Sequence, residues 1–96
     1  MHNLIIKQRA HVMMQEAFDW YEQQKPGLGE LFITELNTYF NKLKSNPGFY
    51  GKIYKNFRQV VLKKFPYALV YEIIKTDVLL FAVFHTSRNP NFKFKD

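Results

Sequence analysis

The side chains best suited to chemistry in this 96-residue sequence gather in its second half. His85 closes an apolar run, and histidine is the side chain whose ordinary pKa lies nearest neutrality, so His85 is a candidate general base. The plainer reading is a strand-end histidine bonding a backbone group or orienting the Thr86–Asn89 turn, since no carboxylate is placed by sequence to orient it. Arg88 carries a planar fork that can grip a phosphate or a carboxylate through two bonds, or pin the C-terminal tail by its carbonyls. Arg58 alternates with Val60 and Leu62 and shares their side; an arginine on an apolar face is usually paired, and Glu72 across the expected hairpin is the candidate partner. Lys63-Lys64 reads first as solvated surface and second as an anion contact. With Tyr71 in the following apolar segment, these residues form the candidate set for meeting a partner or target.

Other chemistries lack their residues. The chain has no cysteine, so disulfides and thiolate metal sites are excluded. His2, His11 and His85 have no metal-ligand spacing. Gly27 and Gly29 fall between two helical patterns rather than after a strand, which is not the setting of a phosphate loop. Met13-Met14 and Trp20 read as core rather than as a cofactor site. No metal or cofactor is expected.

The elements that must position these residues follow from periodicity. Leu4-Ile5-Ile6 reads as a short first strand. From Ala10 to about Gln24, apolar residues recur at helical spacing (Ala10, Met13, Met14, Ala17, Phe18, Trp20, Tyr21) opposite polar ones. Lys25-Pro26-Gly27 stops this helix. A second starts near Leu28 to Glu30, with the stripe Leu28, Leu31, Phe32, Leu36, Tyr39, Phe40 and Leu43, and stops at Ser45-Asn46-Pro47-Gly48. Lys42 and Lys44 in its last turn suit the negative end of the helix dipole.

Strand patterns then take over at Phe57–Lys64, Tyr67–Lys75 and Val78–His85, separated by Phe65-Pro66 and Thr76-Asp77. Short turns make these an antiparallel meander. The predicted fold class is α+β: an N-terminal strand, a helical hairpin and a three-stranded antiparallel meander, as one domain over residues 1–96.

Two features anticipate a partner. Strict alternation puts Tyr67, Leu69, Tyr71 and Ile73 on one face and Ala68, Val70 and Ile74 on the other. It likewise sets Val78, Leu80, Ala82 and Phe84 against Leu79, Phe81 and Val83. Both faces are apolar, and two helices can cover one. The second face is then covered by the C-terminal segment and residues 46–56, or left for a partner. Charge is also uneven: residues 1–40 hold three basic and five acidic side chains, a balance of −2, whereas residues 41–96 hold eleven and three, a balance of +8. A basic half suits an anionic partner, and equally a lysine-rich solvated surface. The start of the chain shows no signal peptide and its longest apolar run is too short to span a bilayer, so a soluble, cytoplasmic protein with no membrane partner is expected.

The residues now named carry a family pattern. Ala10-x-x-Met13-Met14-x-x-Ala17-x-x-Trp20-Tyr21-Glu22, followed by Pro26-Gly27-Leu28-Gly29-x-x-Phe32, resembles the opening helical hairpin of the RelE/ParE superfamily of bacterial toxins. Arg58-x-Val60-x-Leu62-x-x-Phe65-Pro66-Tyr67-x-Leu69-x-Tyr71 resembles its first two meander strands, and Ala82-Val83-x-His85-x-x-Arg88-x-Pro90 the close of the last. No single motif is specific; their ordered combination over nearly the whole chain is. The resemblance implies the fold just described and a type II toxin–antitoxin pair, the kind that stabilises plasmids. Its cognate antitoxin would neutralise the toxin with an acidic or amphipathic segment that folds as it binds.

The superfamily divides by target. RelE-like toxins are similar in cutting mRNA on the ribosome, a reaction needing a general base, a general acid and a cation to stabilise the phosphorane. They place an arginine directly after the tyrosine that begins the second meander strand, where this chain has Ala68. They carry a tyrosine or histidine near the C-terminus, where this chain has Asn91-Phe92-Lys93-Phe94. The nearer resemblance is to the ParE-like branch, which implies binding to DNA gyrase without catalysis. The alternatives are a ribosome-dependent mRNA endonuclease, with His85, Arg88 and Arg58 converging as substitutes, and a detoxified module that binds its antitoxin and regulates their operon.

Overall fold

The computed structural model describes residues 1–87. Its elements run β1 (Asn3–Ile6), α1 (Gln8–Gln24), α2 (Leu28–Ser45), a 3-10 turn at Pro47–Phe49, β2 (Lys52–Tyr54), β3 (Phe57–Val61), β4 (Tyr67–Ile74) and β5 (Asp77–His85). The expected α+β class and order hold, with one strand more than the sequence predicted. The five strands form one sheet in the order β1-β5-β4-β3-β2. β1 lies parallel to β5 and the other neighbours are antiparallel. A helical hairpin between β1 and the meander is long enough to permit the parallel return.

The turn between the helices is held by a carboxylate. Gly27 sits at φ 89° in the left-handed region, which glycine enters without a Cβ penalty. The Glu22 carboxylate accepts hydrogen bonds from the Gly27 and Gly29 amides, at 3.1 and 2.8 Å, so the exposed N–H groups at the start of α2 are satisfied from α1. A Cβ on Gly29 would lie 2.8 Å from the Phe18 carbonyl oxygen and 2.7 Å from Glu22 Cγ, so glycine there permits the helices to approach.

The core lies between the hairpin and one sheet face: Ala10, Ala17 and Tyr21 from α1, Phe32, Leu36, Phe40 and Leu43 from α2, and Val60, Leu69, Tyr71, Val78, Leu80 and Val83 from the sheet. The α2 stripe is narrower than the spacing suggested, because Leu31 is 61% exposed and Glu35 is buried in the wall below it.

Strict alternation fails in β5. Val70 faces Ala82 but Tyr71 faces Leu80, leaving Phe81 as an extra residue in a β-bulge. The extra residue reverses the parity of all that follows. Val78, Leu80 and Val83 therefore share the core face, while Ala82 and Phe84 turn to the second face with Ala68 and Val70, contrary to the expected grouping. Ala68, Val70 and Ala82 are fully buried there. Residues 46–56 do not cover that face as anticipated: part of them forms β2 at the sheet edge, and Tyr50 packs against the core.

Candidate functional site

The sequence-selected residues do not form one site. The structure spreads those among its described residues over three places, and Arg88 and the tail 91–94 lie outside those residues.

At the β2 end of the sheet, Arg58 donates from one guanidinium nitrogen to the Tyr50 carbonyl at 2.6 Å and the Gly48 carbonyl at 3.4 Å. It faces Tyr71 across the ladder, whereas Glu72 faces Phe57 on the opposite side of the sheet. The expected Arg58–Glu72 pairing is therefore replaced by backbone bonds; a one-residue offset sends the two side chains to different faces. Tyr71 is fully buried and its hydroxyl donates to the Pro47 carbonyl at 2.5 Å. Burial pushes its pKa up to about 12, against a smaller lowering by Arg58. A side chain so enclosed cannot meet a partner, and Tyr71 leaves the set of contact residues. Arg58 and Tyr71 together tie the 46–51 loop to the sheet.

His85 lies in a hollow of about 280 Å³ between α1 and the end of β5, lined by Met13, Glu16, Ala17, Trp20, Tyr67 and Val83. Even-odd counting in β5 would have placed it on the second face; the bulge at Phe81 brings it to the helix side, with its ring 5.2 Å edge-on from Tyr67. Its Nδ1 accepts the Ser87 amide at 3.0 Å, so the strand-end role is real, and Nε2 carries the proton in the neutral ring. Folding thus supplies a carboxylate near His85, Glu16, that lies 69 positions away in sequence. No lysine or arginine lines this hollow among the described residues.

Lys63 and Lys64 occupy the third place. β3 ends at Val61, earlier than the predicted Lys64, because Leu62 to Pro66 bends over α2. The bend is fixed by Glu35, 8% exposed, whose carboxylate accepts the Lys64 amide at 2.7 Å and the Phe65 amide at 3.1 Å. A groove of about 530 Å³ opens between this turn and α2, lined by Leu28, Leu31, Thr34, Tyr39, Phe65 and their neighbours, with Lys42, Lys63 and Lys64 among its lining. The Thr34 and Thr38 hydroxyls donate to the carbonyls four residues earlier, at 2.9 and 3.2 Å. Lys42 Nζ stands 4.6 Å above the Tyr39 ring, a cation–π contact. Sequence reasoning missed Glu35 and this groove. The one available signal was a glutamate inside an otherwise apolar helix stripe.

The profile described as "ParE toxin of type II toxin-antitoxin system, parDE" matches residues 4–90. The chain belongs to the ParE toxin family. A solved structure described as the chromosomal ParDE TA system from P. aeruginosa is similar in fold, with a TM-score of 0.76 at 14% identity, covering 88% of this chain and 96% of that one. No curated protein matches the sequence. Membership of this family implies an antitoxin partner for the ParE-like chain. Among the described residues no helix is long and apolar enough to cross a membrane, and no cluster of three or more His, Cys, Asp or Glu side chains could hold a metal ion.

Proposed function

We propose that this ParE-like chain is a cytoplasmic toxin that its antitoxin holds inactive and that, once released, inhibits DNA gyrase by binding rather than by catalysis. The observation carrying this reading is the separation of the residues that RNA cleavage would need together. His85 faces α1, Arg58 is engaged at the opposite end of the sheet, and Ala68 stands buried where the RNA-cutting branch places its arginine. Among the described residues no lysine or arginine lines the hollow around His85, and a phosphorane needs a cation there to stabilise its charge.

One arrangement favours the endonuclease as second reading: Glu16, Tyr67 and His85 share a hollow, and a carboxylate, a phenol and an imidazole are groups that move protons. Two assays separate the readings. Purified toxin should block supercoiling by gyrase and leave mRNA on programmed ribosomes intact, and its induction should stop DNA replication before translation. Codon-dependent mRNA cleavage that disappears in His85→Ala would put the endonuclease first. A chain that binds its antitoxin but arrests neither process would be the detoxified regulator.

A further inference from the structure

We infer that residues 47–55, which carry the 3-10 turn and β2, form a contact surface for DNA with unpaired bases: bases stack on Phe49 and Tyr54 while Lys52 and Lys55 meet the phosphates. The choice of DNA over RNA rests on the gyrase reading, since a toxin seated on an enzyme that works DNA meets that polymer. The surface itself rests on its own chemistry. Residues 47–58 carry Lys52, Lys55 and Arg58 and no acidic side chain. Across the ladder Glu72 faces Phe57, on the opposite side of the sheet from Arg58. Among these cations stand rings of kinds that folded domains mostly cover, for Phe49 is 74% exposed and Tyr54 39%. Lys55 Nζ lies 5.3 Å from the Tyr54 ring centroid. A cation beside an accessible ring is what a nucleotide of an unpaired strand meets, with its phosphate on one and its base on the other.

The surface is anchored from the sheet. Arg58 binds the Gly48 and Tyr50 carbonyls on either side of Phe49, the Tyr71 hydroxyl donates to the Pro47 carbonyl, and the Gln59 amide donates to the Gly51 carbonyl at 3.2 Å. Tyr50 packs edge-on to Phe49, with centroids 5.1 Å apart. Rings carried on so tied a loop lose little freedom when a base stacks on them. Two competing occupants fit less well. β2 lies at the sheet edge, where a strand of another protein could add, but its register shifts between Lys52 and Tyr54 and it carries a lysine, both features that blunt an edge. Duplex DNA keeps its base faces within its own stack, so the exposed rings select bases that are not paired.

The test is fluorescence anisotropy of the full-length toxin with a labelled mixed-sequence DNA strand, its duplex and the RNA of the same sequence, at several salt concentrations. The DNA strand should bind roughly tenfold tighter than the duplex, and no weaker than the RNA. Phe49→Ala and Tyr54→Ala should each weaken binding roughly tenfold and leave its salt dependence unchanged. Lys52→Glu with Lys55→Glu should reduce the slope of log affinity against log salt by about 1.4, two lost phosphate contacts at about 0.7 each. Two controls should change affinity by less than about threefold. One is Lys63→Glu with Lys64→Glu, an equal charge change outside this surface. The other is Lys75→Glu, at a turn that shares the left-handed conformation of Lys55 (φ 56° and 50°) and holds no aromatic residue. All the altered side chains are exposed, and circular dichroism confirms folding. Equal weakening by the Lys63/Lys64 pair would make the binding a matter of net charge and overturn the surface. Unchanged affinity in both ring variants, tighter binding to RNA than to DNA, or loss of antitoxin binding with DNA affinity intact would each overturn it as well. Gyrase supercoiling measured in parallel keeps the two readings apart. Gyrase inhibition without DNA binding sinks this inference alone, and DNA binding without gyrase inhibition sinks the gyrase reading alone.

Discussion

The α2 groove and the His85 hollow flank the same aromatic cluster, yet their linings differ in kind. Phe65 lines the groove and Tyr67 the hollow; both pack on Tyr21 and Phe32, at centroid separations of 5.0 and 5.4 Å for Phe65 and 6.0 and 4.9 Å for Tyr67. The groove is nearly twice as large; its threonine hydroxyls and the Glu35 carboxylate are bonded within the protein and its lysines are exposed. The hollow has the side chains an enzyme would use, but lacks a cation among its described lining. The difference teaches that residue type alone does not set a site's character: among the described residues the cluster with proton-moving groups has no cation in its lining, while the face without them offers area and charge.

Truncating the shared wall should have the largest effect. Phe32 is fully buried, so Phe32→Ala should cost about 3–5 kcal/mol in urea unfolding and damage both regions. A loss below about 1 kcal/mol would show that the cluster does not join them.

The Tyr71 end of the sheet is an independent control for both. Its folded pKa of about 12 exceeds the ordinary 10.0, so its contribution to stability is complete below pH 10 and disappears as pH rises through 12. Wild type should lose about 3 kcal/mol across that window beyond any loss in Tyr71→Phe, which lacks the ionising hydroxyl. Identical pH profiles for the two proteins would show that the phenol is not shielded from water.

Glu35→Ala should act on the groove alone. Removing a carboxylate that accepts two part-buried amides should cost about 1–3 kcal/mol. Hydrogen exchange should then speed at Lys64 and Phe65 while remaining unchanged at Ser87, whose amide bonds His85. Equal loosening at Ser87 would mean that the two regions are not separable.

His85→Ala should do least. It removes an exposed bond to Ser87 and an edge-on contact with Tyr67, so stability should change by no more than about 1–2 kcal/mol, and growth arrest on induction should persist. A variant that folds but no longer arrests growth would place the toxic function at the hollow.

Much of the architecture was legible from local pattern. The two helices, their Pro-Gly turn and three meander strands follow from three- and four-residue spacing, alternation and chain-breaking residues, all properties of neighbouring positions. The short β2 was not, because three exposed residues carry no periodicity and become a strand only by pairing with β3. Lys63 and Lys64 were chosen correctly as surface cations, but their setting depends on Glu35, about thirty residues away, and on the backbone bend it holds.

The amino-acid order by itself determined the element sequence apart from β2, the positive second half and the family, since each needs only residue types and their local spacing. Tertiary structure alone decided which side chains meet. One unmatched residue at Phe81 turned His85 toward α1, and a single-position offset separated Arg58 from Glu72. In a sheet, facing is a matter of parity along the strand, and parity is set by cross-strand hydrogen bonds that no local pattern contains.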